Sequence, residues 1–211
     1  MGESSPRPAV LVIGVGNPLR HDDAVGLEVA RRAQALVEDA ASSGRMAHAR
    51  EARIAICEQE GEPLALLEAW EGADAVVLVD AMHRPHTARR TGPAIPDAEE
   101  ATHGAAPAGT IQRLDASTRP LPADLSSSSS THALGLAGAL ELGRALGRLP
   151  ARVILYGVVG ARFDAGVGLS PAVQEVVGQL AARALREANE LSRPRSPTPP
   201  RRASTARSPP R

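Results

Sequence analysis

Lysine is absent from this chain; all 24 basic residues are arginine. That removes a Walker-type phosphate lysine, a Schiff-base lysine and a lysine general base from the catalytic possibilities. Aromatic residues are almost missing as well, with only Trp70, Tyr156 and Phe163 among 211 residues. A platform of stacked aromatics for nucleic acid is therefore not expected, and the interior has to be packed from Ala, Val, Leu and Ile. Cys57 is the single cysteine, so no internal disulfide can form and the chain suits a reducing cytoplasm. No apolar run approaches the roughly 18 residues of a membrane span, and the N-terminus MGESSPRP has no signal-type apolar core. These absences predict a soluble cytoplasmic protein with no membrane partner.

What is present points to one α/β domain with appendages. The formal charge is zero, yet residues 192–211 hold six Arg and no acid, so residues 1–191 carry 18 Arg against 24 Asp and Glu. The tail SRPRSPTPPRRASTARSPPR contains six prolines and too little apolar surface to offset its ordering entropy. It reads as a disordered, solvated extension, with no nucleic-acid partner assigned to its arginines. The expected organisation is a flexible N-terminus at 1–8, a folded domain at 9–191 and a disordered tail at 192–211.

Within the domain, short β-rich runs alternate with helical patterns, the arrangement of βαβ units around a largely parallel sheet. Strands are expected at Val10–Val15, Arg53–Cys57, Asp74–Ala81, Gly109–Leu114 and Arg152–Val158. Helices are expected at Asp23–Val37, Pro63–Trp70, Ala133–Leu146 and Pro171–Leu191, with Ser170 capping the last and Ser130 or Thr131 the third. Two stretches fall outside the pattern: the polar loop 84–108 and the serine run 126–130, either of which suits a lid or a docking loop.

The chemistry concentrates where strands end. In VLVIGVGNPLRHDDAVG, Val10 to Gly26, a strand enters a glycine turn and then two carboxylates, Asp22 and Asp23, at a helix start. The turn is a poor dinucleotide fingerprint, because Pro18 removes an amide and the acids repel pyrophosphate. By themselves Asp22 and Asp23 also suit the positive end of a helix. Asp80 closes the apolar strand DAVVLVDA, and His132 stands at the beginning of a helix. Two carboxylates and an imidazole, each at a strand-to-helix edge, make a three-ligand set for a divalent ion of the zinc, nickel, manganese or iron group. Other arrangements are weaker. Cys57 reads as a buried core thiol, no G-x-S-x-G elbow accompanies the serines, and His83 and His86 read as solvated. His48 and His103 have no assigned role, while His21 belongs to the rim of the acidic pair.

These residues resemble the hydrogenase maturation proteases, endopeptidases that trim the C-terminus of the nickel-iron hydrogenase large subunit. The matching pieces are GVGNPLRHDDAVG at 14–26, VVLVDA at 76–81, THALGLAGAL at 131–140 and GVVGARFDAGVGLSPAV at 157–173. The resemblance implies a three-layer α/β fold, a five-stranded, mostly parallel twisted sheet flanked by helices in a phosphorylase/hydrolase-like arrangement, acting as a monomer. It places the metal-contacting and catalytic roles on Asp23, Asp80 and His132, with Gly16, Asn17 and Asp22 positioning the substrate. It also implies that nickel is supplied by the precursor of the hydrogenase large subunit, with no organic cofactor. The stretch Glu58 to Pro63 departs from the D-G-G-T pattern of some members. Two alternatives stay open: a non-catalytic metal- or partner-binding module of the same fold, and an enzyme like peptidyl-tRNA hydrolase, whose G-x-G-N-P turn is similar but whose histidine segment is absent.

Overall fold

The computed structural model describes residues 9–43, 54–83, 106–118 and 131–193, with only the backbone described for 131–134. Strands β1 (Val10–Val15), β2 (Ile54–Gln59), β3 (Ala75–Met82), β4 (Ile111–Asp115) and β5 (Arg152–Val159) form one sheet in the order β2-β1-β3-β5-β4. Neighbours are parallel except β4, which runs antiparallel to β5 at one edge. The expected mostly parallel five-stranded α/β fold is therefore present.

Helices α1 (Val25–Ser42), α2 (Pro63–Ala69), α3 (Thr131–Ala145) and α4 (Pro171–Ser192) make the outer layers. The division follows strand alternation. Val10, Val12, Val77, Val79, Ile154 and Tyr156 face α1 and α4, where Val25, Val29, Val177 and Leu180 cover them. The intervening residues Leu11, Ile13, Val76, Leu78, Val153 and Leu155 face α2 and α3, against Leu66, Leu67, Trp70, Leu136 and Leu140. Both faces of β3 are buried along its length, which explains why its sequence is a continuous apolar run.

Several boundaries differ from the sequence expectation. Asp22 and Asp23 lie in a 3-10 turn (His21–Ala24), and the α-helix begins only at Val25. Ser170 precedes Pro171 at the start of α4, but its side chain makes no capping bond. Glu62 does cap: its carboxylate accepts the Ala65 amide at 2.8 Å at the start of α2. Cys57 is only half-buried, because β2 is an edge strand. The loop at 84–105, the serine run with the Ser130 cap, His48, His86, His103, the N-terminus 1–8 and the tail from 194 lie outside the described residues.

The sheet and α1 meet backbone to backbone. A Cβ at Gly14 would overlap the carbonyl oxygen of Gly26, and one at Gly26 would overlap the carbonyl oxygens of Val15 and Val79. Each overlap is with main chain that cannot rotate away. At the other sheet edge, Arg113 on β4 forms a two-point pair with Glu187 on α4, at 2.9 and 2.7 Å. The Tyr156 hydroxyl donates to the same carboxylate at 2.7 Å.

Two alanine substitutions separate these effects. Gly26→Ala is expected to lose about 3 kcal/mol or more, as overpacking against fixed backbone does. Gly138→Ala in α3, where an added Cβ meets nothing within 4 Å, should gain about 0.5–1 kcal/mol through helix propensity. Urea unfolding of the two variants measures both.

Candidate active site

Chain topology opens a crevice between β1 and β3. From β1 the chain runs outward through α1 to β2, then crosses back through α2 to β3 on the far side of β1. In such sheets the carboxyl ends at this switch point form the ligand crevice. β1 pairs with β3 as far as Gly14 beside Val79, so Asp80 is the first β3 residue past the point where β1 turns away. Asp23 follows β1 in the 3-10 turn, and both carboxylates are buried.

Asp80 shares its face of β3 with Val76 and Leu78, the side covered by α2 and α3. His132 is the second residue of α3. The start of α3 is seated at the carboxyl edge, since a Cβ at Gly135 would overlap the carbonyl oxygen of Gly61, just after β2. The topology thus brings the backbones carrying Asp23, Asp80 and His132 to one edge of the sheet.

The electrostatics of this edge are unusual. Asp80 accepts its own neighbour's amide, Ala81, at 2.8 Å. Burial, with the negative charge of Asp23 in second place, outweighs that bond and pushes the Asp80 carboxyl up to about 8. A carboxyl in this state is one that a nearby cation would ionise.

Asp22 has the opposite fate. One carboxylate oxygen accepts the amides of Ala161 and Arg162 at 2.7 and 3.0 Å and the Ser170 hydroxyl at 2.8 Å. The other accepts the Ser170 amide at 2.6 Å. Burial opposes its ionisation, but these donors outweigh it and hold its pKa below the usual carboxylate value. Asp22 therefore spends its acceptors on the loop between β5 and α4, and the Ser170 hydroxyl serves Asp22 instead of the helix.

The same two loops are laced further. Arg20 donates Nε and Nη2 to the Phe163 carbonyl at 3.2 and 3.0 Å, and the His21 amide donates to Gly166 at 3.0 Å. His21 is the one described non-glycine residue with positive φ, at 47°. Its Nε2 lies 3.0 Å from Arg162 Nη2, and a guanidinium only donates, so Nε2 accepts and Nδ1 carries the proton. That proton is given to the Gly168 carbonyl at 3.1 Å. His21 accordingly belongs to the rim, as expected. His83, expected to be solvated, is stacked on Phe163 with ring centroids 3.8 Å apart, because Gly160 leaves room beneath that ring.

Gly16 and Asn17 also act within the turn. The Gly16 amide donates to Gln59 at 3.1 Å, and a Cβ there would overlap the Asp23 carbonyl oxygen. The Asn17 side chain accepts the Leu19 amide at 2.9 Å. Among the described residues no three His, Cys, Asp or Glu side chains form a metal cluster, a set that excludes the side chain of His132.

The sequence profile described as HycI, hydrogenase maturation protease, matches residues 100–187. Over that segment the chain is similar to the hydrogenase maturation protease family. The segment includes His132 and the 160–170 loop, while Asp23 and Asp80 precede it. A solved endopeptidase from Escherichia coli is 25% identical, with TM-score 0.57 over 85% of this chain and 93% of that one. The hydrogenase maturating endopeptidase HybD from E. coli is similar in fold, at 24% identity and TM-score 0.56 over 86% and 92% of the two chains. So is the [NiFe] hydrogenase maturation protease HybD from Thermococcus kodakarensis, at 21% and 0.52 over 87% and 99%. No curated sequence matches. Profile and fold together liken this chain to hydrogenase maturation endopeptidases, which are peptide hydrolases, and no helix among the described residues is long and apolar enough to cross a membrane.

Asp80 and Asp22 should leave opposite marks on stability. Since folded Asp80 holds its proton up to about 8 against an ordinary value of 3.8, its contribution is complete at low pH and declines as pH rises between those values. In Asp80→Asn that decline disappears, so the urea midpoint of the variant should gain on the parent as pH rises from about 5 to about 8.5. Asp22 contributes above its unfolded pKa and loses that contribution only as pH falls through its lowered folded value. Asp22→Asn turns an amide NH2 toward other donors, and urea unfolding at neutral pH should show a loss of about 2–4 kcal/mol.

Proposed function

We propose that this enzyme removes a C-terminal peptide from the nickel-loaded precursor of a nickel-iron hydrogenase large subunit, recognising the precursor's nickel through Asp23, Asp80 and His132. The observation that carries the reading is the buried carboxylate pair at the β1/β3 crevice. Asp80 retains its proton to about 8 because it is buried beside Asp23, and a divalent cation delivered to that pair would discharge the proton and relieve the repulsion. Two carboxylates with an imidazole suit nickel among other divalent ions.

In this reading the metal is part of the substrate. The chain's own residues form a receptor that is complete only when a loaded precursor arrives, so an unloaded precursor lacks its anchor. Asp23 and Asp80 supply negative charge, and His132, on the first turn of α3, is the nitrogen donor of the set. Anchoring the ion fixes the neighbouring peptide bond in the crevice, where the ion polarises its carbonyl or activates a water. Asp22, Gly16 and Asn17 position the substrate indirectly, by shaping the turn that holds Asp23. The enzyme works in the cytoplasm as a monomer.

Purified protein incubated with the hydrogenase large-subunit precursor, with and without nickel, tests this by intact mass. A C-terminal peptide should leave the nickel-loaded form only. Asp80→Ala and His132→Ala should each slow processing by about 100-fold or more, on the scale of lost metal contacts. Normal processing by both variants would sink the assignment of these residues. Binding of the loaded precursor without cleavage would favour a non-catalytic module of the same fold.

A further inference from the structure

Among the described residues four large apolar side chains are exposed: Leu19 at 65%, Leu64 at 59%, Leu146 at 55% and Val167 at 72%. Their distribution is uneven. Leu19 follows β1, Leu64 opens the helix after β2, and Val167 follows β5, so all three stand at the carboxyl edge that holds Asp23 and Asp80. Leu146 lies just past the end of α3, where the chain returns toward the start of β5 at the opposite edge.

Leu19 and Val167 also sit on fixed backbone. The Gly166 amide donates to the Leu19 carbonyl at 2.9 Å, and the His21 amide donates back to Gly166 at 3.0 Å. Arg20 and Gly166 thereby form a parallel bridge. Asn17 holds the Leu19 amide, and the His21 ring holds the Gly168 carbonyl on the other side of Val167. Apolar side chains on mobile loops are ordinary surface features. Held on two loops that hydrogen bonds lock together, they lose little entropy on contact and serve recognition.

We infer that Leu19 and Val167 form an apolar seat for the segment of the precursor that flanks the scissile bond, making them specificity-determining residues of the proteolytic reaction proposed above, on which this inference rests. The occupant follows from charge and position. The rim's charged groups are already engaged: Arg20 on the Phe163 carbonyl, and Arg162 on Asp164 and His21. Arg162 and Asp164 are exposed but neutralise one another, so the groups that this part of the rim leaves for a ligand are the apolar Leu19 and Val167, matching an apolar peptide segment and neither an acidic nor a basic one. Leu19 is four positions from Asp23, and Val167 lies in the loop that Asp22 clamps. A polypeptide whose metal reaches Asp23 passes over both.

The test is the kinetics and the binding of the nickel-loaded precursor with Leu19→Ser, Val167→Ser, the double variant and Leu146→Ser. The double variant should raise KM about tenfold or more with kcat within about twofold, the pattern of lost binding without lost chemistry. Leu146→Ser should match the parent, and all four should unfold at the parent's temperature, because the side chains are exposed. An unchanged KM in the double variant overturns the seat while leaving proteolysis standing. If the parent binds the precursor without cleaving it, and the double variant binds about tenfold more weakly, the seat stands and the proteolytic reading falls. If the parent neither binds nor cleaves, both fall.

Discussion

The arrangement of this protein depends on how closely the start of α1 approaches the ends of β1 and β3. Gly14 and Gly26 face each other without side chains, and Gly26 lies against the carbonyls of Val15 and Val79. Interiors are packed too tightly for that contact to be opened by even one methyl group. Because the helix begins directly on the sheet, the 3-10 turn before it is drawn down beside the end of β3. Gly16 completes the approach by lying against the Asp23 carbonyl. The crevice chemistry is a product of main-chain geometry before any functional side chain is considered.

That geometry gives two buried carboxylates, Asp22 and Asp80, different work. Asp22 is surrounded by amide and hydroxyl donors of the 160–170 loop, so its charge is stabilised although it is buried. Asp80, buried and facing the negative charge of Asp23, has among the described residues only the Ala81 amide to offset that cost, so its carboxyl is held neutral to a higher pH. One carboxylate holds the scaffold in a fixed shape, and the other remains electrostatically unsatisfied. Sites that act on cations commonly need both: a rigid wall and a group whose state changes when the ligand arrives.

How much of this was legible in the sequence varied by residue. The alternating strand and helix patterns gave the five strands to within a few residues, because β1, β3 and β5 are apolar runs and β3 is buried on both faces. The positions of Asp23, Asp80 and His132 at strand-to-helix edges were also readable, since a strand's end is where its polar side chain emerges. The division of labour between Asp22 and Asp23 came only with the family resemblance, and its physical cause was not readable: Asp22 is clamped by the 160–170 loop and by Ser170, about 150 residues away in the chain, whose hydroxyl suggested only a helix cap. His83 looked solvated for the same reason, as Phe163 reaches it only after folding. The edge position of β2, and with it the half-exposure of Cys57, depends on strand order, which local periodicity does not encode.

Trp70 is the sole indole of the chain and is completely buried between the helices that cover one face of the sheet. It touches the helix carrying His132 through the space left at Gly143. Its ultraviolet emission therefore arises from one place and follows the seating of that helix on the sheet, while events confined to the rim loops leave it unchanged. The fold contains its own optical gauge of whether the imidazole-bearing helix is in place.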